Sequence, residues 1–90
     1  LSKNYLGVVV STTWISISKS FANKALLAIL VVSGQAIGYA VYIHISGVSY
    51  VNVYGKLSGV EYQGIVQING DNTVQGLVSS SSCAMYLYCI

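Results

Sequence analysis

The chain has ninety residues, one domain (1–90) at most, and a domain of that size buries only roughly two-thirds of its unfolded surface, so it needs a staple or a partner. Hydrophobic residues make up 54% and charged residues only 7%, against about 25% charged in ordinary soluble domains, which disfavours a monomer wetted by its own charges. The net charge of +2 comes from Lys3, Lys19, Lys24 and Lys56 against Glu61 and Asp71, without arginine, and four scattered lysines exclude the clustered basic footprint of nucleic-acid binding.

The chain begins at Leu1 rather than Met, which suggests a mature form cut from a precursor and placed outside the cell or on its surface. Residues 5–10 and 13–17 are β-branched and apolar and read as one bent strand or two short ones. Ser18 and Ser20 then offer N-cap hydroxyls ahead of Phe21 and a run of good helix formers. A helix over residues 19–33 is expected, stopped by Gly34 in the left-handed conformation. Beyond Lys24 its side chains are apolar all round, so it must be buried on every side, by protein or by lipid.

From Ala36 the period changes to two. Ile37, Tyr39, Val41, Ile43 and Ile45 fall on one side and Ala36, Gly38, Ala40, Tyr42 and His44 on the other. Ser46-Gly47 breaks the run, a second strand ends at Ser58-Gly59, and a third covers residues 61–68. Asn69-Gly70-Asp71-Asn72 turns the chain into residues 73–78, the strongest hairpin signal present, and the final CAMYLYCI adds one more strand. Short connections predict that neighbouring strands pair as an antiparallel meander. The expected fold is therefore α+β, one buried apolar helix packed on an antiparallel β-meander sheet. Its alternative is mostly α, with a membrane-type helix over residues 21–45, long enough to span about 30 Å of hydrocarbon.

No cofactor or metal site is expected. His44 is the single histidine, and its possible companions, two cysteines, one Glu and one Asp, are remote in sequence. The same shortage argues against a Cys–His nucleophile, which needs a base and an orienting group, and against acid–base work by Glu61 and Asp71. Glycines are spread singly, not grouped as a phosphate loop, and Gly38, Gly64 and Gly76 inside predicted strands leave room for close packing. Cys83 and Cys89 are disulfide candidates. One extended strand would hold them about 20 Å apart, so they bond within the chain only if residues 84–88 loop back, or they bond between chains, or they stay free. The Ser run at 79–82 reads as a loop.

Eight tyrosines supply rings that bury area while keeping a hydroxyl for hydrogen bonding, in cross-strand pairs or at an interface. With few charges and no proline to blunt strand edges, the expected function is non-enzymatic: a secreted structural subunit that self-assembles into a filament, pilus-like fibre or coat. Its assembly surface would draw on Leu6, Val8, Val10 and Trp14 of the N-terminal strands, on Phe21, Leu26, Ile29 and Leu30 of the helix, and on Tyr39, Tyr42, Tyr50 and Tyr54. The alternative is a small toxin-like protein whose apolar helix inserts in lipid. Partners are thus copies of the chain, or membrane lipid, and not nucleic acid.

Overall fold

The computed structural model describes residues 4–19, 21 and 25–90, which form eight strands in two four-stranded antiparallel sheets packed face to face. In chain order the strands are β1 (Tyr5–Val9), β2 (Ile15–Ser16), β3 (Ala25–Val32), β4 (Gln35–Ile43), β5 (Ser49–Leu57), β6 (Val60–Ile68), β7 (Val74–Val78) and β8 (Cys83–Cys89). The first sheet has the order β1-β8-β3-β4 and the second β2-β7-β6-β5. The chain therefore changes sheet between β1 and β2, β2 and β3, β4 and β5, and β7 and β8.

Three expectations are corrected. No α-helix forms among the described residues, and the apolar half of the expected helix is β3. Its burial alternates residue by residue, with Leu26, Ala28, Leu30 and Val32 in the core. Ser20, one of the two expected caps, and Lys24, after which the expected helix becomes wholly apolar, fall outside the described residues. The membrane-helix alternative fails with it, because among the described residues no helix is long and apolar enough to cross a membrane. Nor do the later strands make a single meander: β3–β4 and β5–β6–β7 are meander pieces in different sheets, and β8 inserts between β1 and β3.

Local chemistry explains the hairpins. Ser33 and Gly34 have φ of 52° and 75°, and Ser58 and Gly59 have 51° and 79°. Two successive left-handed residues match the twist of the flanking strands, so the first pair turns β3 into β4 and the second turns β5 into β6. The expected turn at Asn69 to Asn72 also forms. Asp71 Oδ1 accepts hydrogen bonds from Thr73 N at 3.1 Å and Thr73 Oγ1 at 2.6 Å, and β6 pairs with β7 beyond it.

The core lies between the sheets. Leu6, Val9, Leu26, Leu30, Met85 and Leu87 enter it from the first sheet, and Val51, Val53, Val66, Ile68, Val74 and Val78 from the second. The strand glycines make room for large neighbours. A Cβ at Gly64 would sit 2.6 Å from Met85 Sδ, and one at Gly76 would sit 3.2 Å from Met85 Cε and 3.2 Å from Val9 Cγ2. Met85 on β8 thus fills the hollow that two glycines of the facing sheet leave open.

Cys83 and Cys89 are free thiols, both buried at opposite ends of β8. An extended strand holds them about 20 Å apart, far beyond disulfide reach. The structure therefore has no disulfide staple.

Candidate functional site

Register and burial together assign every strand residue to an inner or outer face. On the outer face of the first sheet, β3 presents Ala25, Leu27, Ile29 and Val31. Leu27 lies between Tyr88 of β8 and Val41 of β4, and Ile29 between Tyr86 and Tyr39. Beyond β8, Tyr5 pairs with Tyr88 and Val8 with Tyr86. Among the described residues the outward strand positions of this face carry no charged and no amide side chain, and their polar side-chain atoms are tyrosine hydroxyls. Gln35, exposed at the start of β4, lies opposite Val32 and so falls on the inner side. Lys19 sits at the rim, its Nζ donating to the Tyr5 carbonyl at 3.1 Å.

The face is ordered and corrugated. The Tyr5 ring stands 5.5 Å from that of Tyr88 and 6.4 Å from that of Tyr86, both tilted, in the range of favourable aromatic contacts. A ridge of β3 side chains runs between two shallow troughs. One, of about 340 Å³, is bounded by Ile29, Val31, Tyr86 and Tyr88, and the other, of about 580 Å³, by Leu27, Ile29, Tyr39 and Tyr54. The edge strand is the most open part, with Tyr39 74%, Val41 54% and Ile43 66% exposed.

The outer face of the second sheet is chemically different. Its outward positions include Tyr50, Asn52, Tyr54 and Lys56 on β5, Glu61, Gln63, Ile65 and Gln67 on β6, and Gln75 and Leu77 on β7. The amides are tied to one another: Gln75 Nε2 donates to Gln67 Oε1 at 2.9 Å, and Gln63 Nε2 to Asn52 Oδ1 at 3.2 Å. One side of the sandwich is dry, and the other is a neutral amide surface that water solvates.

A second cluster lies where the chain crosses from β4 to β5. Tyr42 Oη donates to Ser49 Oγ at 3.1 Å, and Ser49 Oγ is 3.1 Å from His44 Nδ1. The Phe21 ring meets the His44 ring edge-on at 5.6 Å. A serine beside a histidine suggests a nucleophile and its base, but nucleophilic catalysis also needs an orienting carboxylate and an approach for substrate. Ser49 and His44 are both buried, and no carboxylate bonds His44 among the described residues. Nor, among those residues, do His, Cys, Asp and Glu gather in threes to hold a metal ion. The cluster is a polar fastener of the crossover.

The residues expected to form one assembly surface are dispersed. Leu6, Phe21, Leu26 and Leu30 are core residues. Ile29, Tyr39 and Val8 lie on the dry face. Val10 and Trp14 are exposed in the segment between β1 and β2. Tyr42 points inward to Ser49, whereas Tyr50 and Tyr54 stand on the amide face, Tyr54 at the corner where it also bounds the trough beside Leu27. Leu27, Val31, Val41, Ile43 and the Tyr5, Tyr86, Tyr88 group complete the dry face without having been singled out. Their signal was available: the apolar run of residues 25–32 is as apolar at odd positions as at even ones.

Comparison of the chain with protein-family models, with curated proteins and with solved structures finds no match.

Proposed function

We propose that the protein is a structural subunit that assembles with copies of itself, the dry face of the first sheet packing against the same face of a second copy. One observation carries this reading: the outward residues of β1, β8, β3 and β4 include no charged or amide side chain among the described residues. Four strands about 4.8 Å apart and about seven residues long at 3.3 Å each give a projected face of roughly 400 Å². The largest apolar patch on a lone soluble domain is about 300–600 Å² and is often functional, and this face falls in that range. A standard interface buries roughly 800 Å² per partner, so the pairing would take in the whole of this face and its rims.

Sheet faces pack well when side chains of one fill hollows of the other. The β3 ridge with its flanking troughs offers both parts, so a two-fold pairing is self-complementary. Such a pair is closed. Growth into a filament or coat needs a second contact, for which the edge strands are the available elements. Sedimentation velocity over a concentration series, followed by negative-stain imaging, tests the reading. Mass that rises with concentration supports it, and a dispersed monomer at high-micromolar concentration overturns it.

A further inference from the structure

We propose that the outer face of the second sheet binds a neutral oligosaccharide through Tyr50, Asn52, Tyr54 and Gln63. This goes beyond the assembly reading and rests on the other sheet, although Tyr54 stands at the corner where the two faces meet and also bounds the trough beside Leu27 and Tyr39. Along edge strand β5 the outward positions run Tyr50, Asn52, Tyr54, aromatic, amide, aromatic, and the two rings are 59% and 65% exposed. Their Cα atoms are about 13 Å apart along an extended strand, more than a single sugar ring or amino acid covers. The spacing suits an extended chain of flat units.

The amides between the rings are held in place and only partly used. Gln63 lies directly across from Tyr54, and its Nε2 donates to Asn52 Oδ1 at 3.2 Å and to the Tyr54 hydroxyl oxygen at 3.5 Å. Both Nε2 hydrogens of Gln63 are then spent, while its Oε1 remains an acceptor, both Asn52 Nδ2 hydrogens remain donors, and the Tyr54 hydroxyl keeps its own hydrogen to donate. The Gln63 main chain is pinned as well, its N donating to Ser79 Oγ at 2.9 Å and its carbonyl accepting from Ser79 N at 2.8 Å. A pre-organised set of this kind loses little freedom on binding.

Charge and polarity select the ligand class. The charges on this face are Lys56 and Glu61, cross-strand partners at one end whose signs cancel. Among the described residues this face has no cationic cluster for phosphate, nucleic acid or an acidic glycan. Donors and acceptors set between ring faces are wasted on a lipid chain but fit a pyranose, whose C–H face stacks on an aromatic ring while its hydroxyls both donate and accept. Beside Tyr54, a depression of about 310 Å³ bounded by Gly55, Lys56, Glu61 and Tyr62 gives one ring or a branch a place to settle.

The test is a titration of the ¹⁵N-labelled protein with cellohexaose, laminarihexaose and mannohexaose, followed by amide shifts. Saturable shifts centred on residues 50–54 and 63–67 with at least one of the three are expected. Tyr54→Ala should weaken binding by about tenfold or more, Tyr54→Phe by only a few-fold because the stacking ring survives, and Tyr5→Ala on the opposite face not at all. Val31→Lys, which disrupts the dry face in the trough away from Tyr54, should leave sugar affinity unchanged, so failure of assembly and failure of sugar binding are read separately. The proposal is overturned if none of the three sugars shifts those amides at millimolar concentration, if the shifts centre on Tyr86 and Tyr88, or if Tyr54→Ala binds as the parent does.

Discussion

Gly38 on β4 and Tyr54 on β5 meet backbone to backbone where the edges of the two sheets converge, so closely that a Cβ at position 38 would collide with the Tyr54 carbonyl oxygen. The contact is reciprocal, since a Cβ at Gly55 would lie 2.8 Å from the Ile37 carbonyl oxygen and 2.6 Å from Ile37 Cγ1. Backbone cannot swing aside as a side chain can. Gly38→Ala is therefore expected to cost about 3 kcal/mol, the upper range for overpacking, and to lower Tm by roughly 15 °C. Gly64→Ala should cost about 1–2 kcal/mol, because its obstacle, Met85 Sδ, is on a flexible side chain. Gly70→Ala, with open space around it, should stay within about 0.5 kcal/mol of the parent. Thermal melts of the three variants check the order, and equal losses at 38 and 70 would contradict this picture of the corner.

The β3 segment shows what could be read from sequence and what could not. A half-buried strand announces itself by alternation, and β4 and β5 were legible for that reason. In β3 both faces are apolar, Leu26, Ala28 and Leu30 toward the core and Leu27, Ile29 and Val31 toward the dry face, so no alternation survives. Ala-, Leu- and Ile-rich composition then favours a helix, and Gly34 fits a left-handed helix stop as well as a left-handed hairpin turn. The misreading and the candidate site thus share one cause: the outer surface of this sheet has the composition of a core. The turn at Asn69 to Asn72 was legible because its chemistry is local, with Asp71 bonding Thr73 two residues on. The change of sheet between β4 and β5 had no local signal, since the Gly38–Tyr54 contact that sets it joins positions distant in sequence.

At the β4–β5 crossover, one hydroxyl serves two partners. Ser49→Ala leaves the Tyr42 hydroxyl and His44 Nδ1 without their hydrogen bonds in a site where Ser49 and His44 are buried. The expected cost is about 1–3 kcal/mol, the penalty for unpaired buried polar groups. Tyr42→Phe removes a donor but leaves the Ser49–His44 bond, so it should cost only about 0.5–1.5 kcal/mol. Urea denaturation with unchanged m-values measures both. A larger loss for Tyr42→Phe than for Ser49→Ala would mean that the serine is not the shared hub.

On the dry face, Leu27 occupies a central position between Tyr88 and Val41. Its side chain points away from the core, so Leu27→Lys should change unfolding free energy by less than about 1 kcal/mol while placing a charge in the middle of the proposed interface. Self-association should weaken by tenfold or more, about 1.4 kcal/mol, as read by sedimentation velocity. Leu77→Lys, an equivalent change on the amide face, is the control and should leave association unchanged. If the two substitutions act alike, the first sheet has no special role in assembly.

The two ends of the pH range probe different groups. Thr73 Oγ1 and N donate to the Asp71 carboxylate and hold its pKa below the ordinary 3.8. The folded state then binds fewer protons than the unfolded chain just below that value, so the stabilisation from Asp71 is whole above about pH 4 and is lost as pH falls through its folded pKa. Asp71→Asn keeps an oxygen that can accept from Thr73 but removes the titration, and should flatten this part of the acid limb. Cys83 behaves oppositely. Burial pushes its thiol above the ordinary 9.0, because the thiolate would have to form at the end of β8 inside the core. Its contribution is therefore whole below pH 9.0 and falls as pH rises through the folded value. The same burial should make Cys83 and Cys89 slow toward a disulfide reagent near pH 8 in the native protein and fast in urea. Native thiols that react at the unfolded rate, or an alkaline limb unchanged by Cys83→Ala, would place Cys83 outside the core.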